Sequence, residues 1–187
     1  MNTTHNSAIE WNAAPVREHM DDLYAAEHMY KNWPTRTAAG TFRVTCLISA
    51  MRSELGPNHN KARHAALGDT LADAQRALPI HVEEVTGSWE GVEEKSYMVV
   101  FEVPLKEDGA VTASVEFLST MYALARRYQQ DALLLQYGDK APAVVWQSVG
   151  PEFVQLDGRL TCVSPLEAHK QQGWTRKADG SYWIVRA

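Results

Sequence analysis

The 187-residue chain contains only two cysteines, Cys46 and Cys162. Each lies in an apolar segment and neither belongs to a CxxC pair, so reduced, buried thiols are expected rather than a disulfide framework. The glycine-rich GxGxxG and GxxxxGK[ST] loops that hold phosphates are missing, as is a GxSxG nucleophile elbow. Seven histidines are present, but none forms HExxH; His59 and His64 lie five apart, His19 and His28 nine apart. No metal and no cofactor is therefore expected. Surplus positive charge is absent too: the formal net charge is −5, which argues against a nucleic-acid partner. No apolar run approaches the length of a membrane span, and the polar start Met1 to Ser7 does not fit a secretory leader. These absences predict a soluble, cytoplasmic protein with no membrane partner.

What is present is the composition of a globular chain, 45% hydrophobic and 22% charged. The length suits one domain with an appendage. Pro15 opens an N-terminal helix carrying Val16, Met20, Leu23 and Tyr24, and Asn32-Trp33-Pro34 ends it. The division is expected at residue 40: a helical appendage over 1–40 and the main domain over 41–187. In the latter, Phe42 to Ala50 reads as a strand. A helix runs on to about Leu78 with Leu67, Leu71, Ala74 and Leu78 on one face. Ile80 to Val85 and Tyr97 to Val103 are strands joined by a loop. A second helix starts near Thr112 or Ser114 with Val115, Leu118, Met121, Tyr122 and Ala125 inward. Asp131 to Tyr137 and Ala143 to Trp146 are further strands. The order β-α-β-β-α-β predicts an α+β, ferredoxin-like split βαβ fold, an antiparallel sheet with two helices on one face. Ser164-Pro165-Leu166-Glu167 signals a short helix, and a C-terminal hairpin turns at Asp179-Gly180.

The joining segment, Thr86-Gly87-Ser88-Trp89-Glu90-Gly91-Val92-Glu93-Glu94-Lys95-Ser96, sets an aromatic among three carboxylates. A π face beside a negative charge attracts a small organic cation. The same residues also read as a solvated hairpin tip balanced by Lys95. Ser49-Ala50-Met51-Arg52-Ser53, at a strand end, offers backbone amides that can hold a carboxylate, or is simply a strand-to-loop transition. Asn60 and Arg63 face the same way on a helix, and Gln130-Asp131 joins the second helix to a strand.

In order and spacing these pieces resemble the phage-encoded S-adenosylmethionine-degrading enzymes, the S-adenosylmethionine lyases. Leu47-Ile48-Ser49-Ala50-Met51-Arg52-Ser53 is similar to the family's first-strand motif, Asn60-Lys61-Ala62-Arg63 to its Asn-x-x-Arg, and Thr86-Gly87-Ser88-Trp89 to Thr-Gly-x-aromatic. Glu93-Glu94-Lys95-Ser96, Gln130-Asp131-Ala132-Leu133-Leu134 and Asp179 to Val185 resemble three further stretches. The family has tyrosine where this chain has Trp89, and residues 1–40 have no counterpart in it.

The resemblance implies that the substrate's own carboxylate attacks its γ-carbon, closing homoserine lactone and expelling 5′-methylthioadenosine. Such an intramolecular step requires substrate folding and water exclusion more than an acid or a base. It further implies Glu94 as the catalytic residue, substrate contacts at Ser49, Ala50, Trp89 and Gln130, and support behind them from Asn60 and Arg63. A homotrimer with sites between subunits and an anti-restriction role in the host cytoplasm are also implied. Hydrolysis to homoserine, a non-catalytic module binding an adenosyl ligand, and an inhibitor that binds a host protein are the rival readings.

Overall fold

The computed structural model describes residues 40–104, 110–139, 142–147 and 152–187. The expected N-terminal helix, and with it the appendage over 1–40, lies outside the described residues apart from Gly40. In chain order the elements are β1 (Thr41–Ser49), α1 (Pro57–Ala77), β2 (Ile80–Trp89), β3 (Val92–Pro104), α2 (Ala110–Arg127), β4 (Ala132–Tyr137), β5 (Ala143–Gln147), β6 (Glu152–Gln155), β7 (Arg159–Val163), α3 (Pro165–Ala168), β8 (Gly173–Arg176) and β9 (Tyr182–Arg186).

Pro57 begins α1 at its first turn, where a missing N–H costs nothing, and Pro79 follows its end. The buried positions Asn60, Leu67, Leu71 and Ala74 recur at helical spacing. On β1, burial alternates: Phe42, Val44, Cys46 and Ile48 enter the core, as do Val99, Phe101 and Val103 of β3. Leu67 and Leu71 of α1 and Phe117, Leu118 and Met121 of α2 complete that core, so both helices cover the same sheet face. Phe117, which the sequence pattern passed over, stacks on Phe101 with ring centroids 4.9 Å apart. Trp146 does the same with Tyr122 at 4.7 Å. A smaller cluster of Ala168, Trp174, Tyr182 and Ile184 lies by α3, whose Ser164 hydroxyl accepts from Glu167 N as an N-cap. No described helix is long and apolar enough to cross a membrane.

The ferredoxin-like expectation is overturned by the sheet. It has nine antiparallel strands in the order β6-β5-β4-β1-β3-β2-β8-β9-β7, not the few of a small split βαβ unit. Edge strands carry unpaired backbone groups, and the C-terminal third of the chain supplies partners for both edges. β8 pairs with β2 from Thr86 to Trp89, and β5 and β6 extend the sheet beyond β4. β6 and β7, which the sequence pattern did not reveal, form the two outer strands.

Only residues 156–158 separate those two outer strands in the chain, so the sheet curls like half a barrel. The curl is toward the face without helices. Gln136 of β4 projects there and its Oε1 accepts from Leu160 N of β7 at 2.6 Å. Ala143 N donates to Gly158 O at 2.7 Å, and Leu156 N to Ala143 O at 2.8 Å. Gly158 has φ +149°, and a Cβ there would lie 2.4 Å from the Arg186 carbonyl carbon, so only glycine fits this seam. Val85, Ser49, Ser96, Met98, Gln136 and Leu160 are accordingly buried although they point away from the helices.

Gln136→Leu keeps the side-chain volume but leaves the Leu160 N–H without its acceptor. An orphaned buried donor costs about 1–3 kcal/mol, to be read from urea unfolding. The exposed Gln147→Leu is expected to stay within about 0.5 kcal/mol. Equal effects would show that the seam does not hold the curl.

Candidate active site

The segment read from sequence as a loop is strand almost to its tip. β2 and β3 continue in register through Val85↔Ser96, Gly87↔Glu94 and Trp89↔Val92, leaving only Glu90 and Gly91 to turn. Both turn residues have positive φ, 51° and 81°, the backbone of a type I′ turn that matches strand twist. The correction has a functional consequence, because strand alternation now decides which side chains share a face.

Glu84 of β2 contacts His64 of α1, and Tyr97 of β3 stacks on the same histidine, which identifies the helix-facing positions. By alternation, Val85, Gly87 and Trp89 of β2 and Glu94, Ser96 and Met98 of β3 take the other face. Ser49 pairs with Ser96 across β1 and β3 and joins them. The structure therefore brings Ser49, Trp89 and Glu94 to one face of the hairpin. Between them Gly87 leaves bare backbone: a Cβ there would be 3.5 Å from Ser96 Oγ and meet no other side chain within 4 Å. Trp89 and Glu94 are diagonal neighbours of the hairpin, at roughly 7–8 Å between backbones.

Ser49 is anchored. Its hydroxyl accepts from Met51 N at 3.0 Å and lies 3.1 Å from Lys95 O as a donor. The same hydroxyl lies near the Glu94 carboxyl and favours its charged form. Lys95 N donates to Met51 Sδ, closing the contact between the two strand ends.

Ala50, Asn60, Arg63 and Gln130 form a separate group behind the end of β1. Ala50 is fully buried, with its carbonyl accepting from Arg63 Nε at 2.8 Å. The same guanidinium donates to Tyr128 O and lies over the Tyr128 ring at 5.6 Å. Asn60 Oδ1 accepts from Arg52 N at 2.9 Å while its Nδ2 donates to Arg52 O at 2.8 Å and Leu55 O at 3.1 Å. Gln130 Nε2 donates to Met51 O at 3.1 Å and Tyr128 O at 3.3 Å. Arg52, on the same loop, donates to Gln129 O, two residues past the end of α2 and at φ 52°. These side chains thus tie the loop after Ser49 to the end of α2 through main-chain carbonyls.

Two carboxylates of the hairpin have opposite electrostatics. Glu84 is held below the usual glutamate range by hydrogen bonds from Lys95 at 2.8 Å and His64 at 3.2 Å. Glu94 is pushed above it by desolvation, with the Ser49 hydrogen bond only partly opposing the shift. Among the described residues no cation compensates Glu94. A half-buried carboxylate left without a positive partner is the group most improved by a cationic ligand. Ser96 and Gly87 belong to this face and were missed as site residues. Period-two alternation carried through 86–96 is the signal that would have revealed them. No group of three or more potential ligands able to hold a metal occurs among the described residues.

A model of the S-adenosylmethionine lyase family matches residues 46–186, a span that includes every strand and helix of the curled sheet except the start of β1. No curated protein matches the chain.

A glutamate with a raised folded pKa binds its proton more tightly when folded than when unfolded. Its contribution to stability is complete below the ordinary glutamate range and is lost as pH rises through the raised value. Glu94→Gln is therefore expected to melt above the parent at neutral pH, the difference vanishing on acidification through the ordinary carboxylate range. Calorimetry across that interval checks the sign; a variant less stable than the parent at neutral pH would contradict the desolvation argument.

Proposed function

The chain belongs to the S-adenosylmethionine lyase family, and from that premise we propose that it converts S-adenosylmethionine to 5′-methylthioadenosine and L-homoserine lactone. The observation that carries this reading is the half-buried Glu94 carboxylate, without a cationic partner among the described residues, on the same hairpin face as the exposed Trp89. The substrate presents a sulfonium and an ammonium, both cations, beside a purine. Glu94 neutralises the cationic part, and the indole supplies a face for the sulfonium or for adenine.

The bond changes need no protein nucleophile. A carboxylate oxygen of the substrate attacks its own γ-carbon, the Cγ–S bond breaks, and the electron pair stays on sulfur as a neutral thioether. No proton moves. The protein's task is to hold the amino-acid arm folded and dry, and such orientation is worth on the order of 7–11 kcal/mol in favourable cases. Ser49 and Ser96 line the recess with hydroxyls able to orient the arm's polar end. Asn60, Arg63 and Gln130 keep the adjoining loop in place through the carbonyls described above.

Trp89 and Val92 at the hairpin tip are 63% and 65% exposed, leaving one side of the recess uncovered. A homotrimer with sites between subunits, as the family resemblance implies, would cover it and exclude water. Depletion of the methyl donor inside an infected cell is the corresponding anti-restriction role.

Incubation with S-adenosylmethionine in H₂¹⁸O, followed by mass spectrometry, tests the reaction. Unlabelled homoserine lactone is expected to appear together with methylthioadenosine. Glu94→Gln, folded by the calorimetry above, is expected to lose at least about 10²-fold in turnover, the usual cost of removing one charge-stabilising group. Labelled homoserine formed without passing through lactone would instead establish hydrolysis. Binding without turnover would leave a sequestering module.

A further inference from the structure

The indole of Trp89 rests on the backbone of β8 at Gly173. The two residues are register partners of β2 and β8. Beside them Glu90 N donates to Gln172 O at 2.8 Å, and Gln172 Nε2 donates to Glu90 Oε1 at 2.8 Å. The hairpin tip is thereby pinned to the strand that carries Gly173. A Cβ at position 173 would lie 2.7 Å from Trp89 Cε3 and 3.0 Å from Cζ3, inside van der Waals contact. Gly173 does not have the positive φ that marks five other glycines, so its backbone conformation does not require glycine. What a side chain would meet first is the benzo ring, with the Ser88 carbonyl oxygen next at 3.3 Å.

We infer that Gly173 is a positioning residue of the proposed substrate site, the glycine that lets a bicyclic aromatic at position 89 lie against the backbone of β8. The inference rests on the function proposed above for the consequence, though not for the contact. Position 89 provides the largest exposed aromatic surface beside Glu94, and its orientation decides whether that surface can meet a purine or a sulfonium. A side chain at 173 would lift the indole by its Cε3 edge and rotate that surface. A phenol at position 89 lacks the flared benzo ring and tolerates a methyl at 173 better. Trp89 and Gly173 thus form one specificity unit linking the C-terminal strand to the β2–β3 hairpin.

The test compares the parent with Gly173→Ala, Trp89→Tyr and the double variant. Three quantities are read: KM and kcat for S-adenosylmethionine, and the indole N–H resonance of Trp89, assigned among the six tryptophans by its loss in Trp89→Tyr. Gly173→Ala is expected to move that resonance and raise KM about fivefold or more, with kcat changed by less than about twofold. Contact also predicts non-additivity, so the double variant should fall within about twofold of Trp89→Tyr alone. An unmoved resonance with unchanged KM, or effects that multiply independently, would overturn the inference. Should Gly173→Ala fail to fold while the double variant folds, the contact is supported. Should neither fold, glycine serves the β8 backbone instead and the inference fails. If the parent shows no turnover, the function proposed above fails while the resonance still decides the contact.

Discussion

The site depends on the register in which β3 lies between β1 and β2. That register sets Ser49 against Ser96, Glu94 against Gly87 and Trp89 beside the turn. A slip of one residue would send Glu94 and Ser96 to the helix face and bring Tyr97 and Lys95 to the recess. Two devices hold it. The type I′ turn at Glu90-Gly91 fixes the hairpin, and the alternation of Val99, Phe101 and Val103 into the core makes a slip costly. The aromatic contacts deep in the sheet and the chemistry at its rim are thus one constraint.

The hairpin also sorts its charges. On the helix face Lys95 and His64 both hydrogen-bond the Glu84 carboxylate and hold it in its charged form. On the opposite face Glu94 is desolvated, with no cationic partner among the described residues. A carboxylate kept in that state destabilises the protein at neutral pH and is relieved by a bound cation. Retaining such a group is consistent with a site that binds positive charge rather than with a wet hairpin tip, where water would solvate it.

Behind the recess, Arg63, Asn60, Gln130 and Arg52 act on carbonyl oxygens of the loop after β1 and the end of α2. Charge-assisted bonds to main chain are among the stronger contacts available to a surface loop. They make the position of Ser49 a property of two helices and a strand together. Ser49, Trp89 and Glu94 thus share one face of the sheet, while Ala50, Asn60, Arg63 and Gln130 hold the loop beside it.

Local patterns carried much of the molecule. The helical spacing of Leu67, Leu71 and Ala74, the proline boundaries, the Ser164 cap and the period-two burial of β1 are written over a few residues, because side-chain direction follows backbone period. The placing of Trp89 and Glu94 in one hairpin was legible for the same reason. Tertiary structure alone decided three things. It turned the supposed loop into strand, since propensity around Gly87 and Gly91 is weak and only pairing with β3 and β8 orders that segment. It replaced a small split βαβ sheet with nine curled strands, because short segments such as Glu152–Gln155 have no period of their own and acquire strand geometry from the edge they join. And it brought Gly173, more than eighty residues along the chain, under the indole of Trp89, a contact set by cross-strand register and so invisible to any local reading.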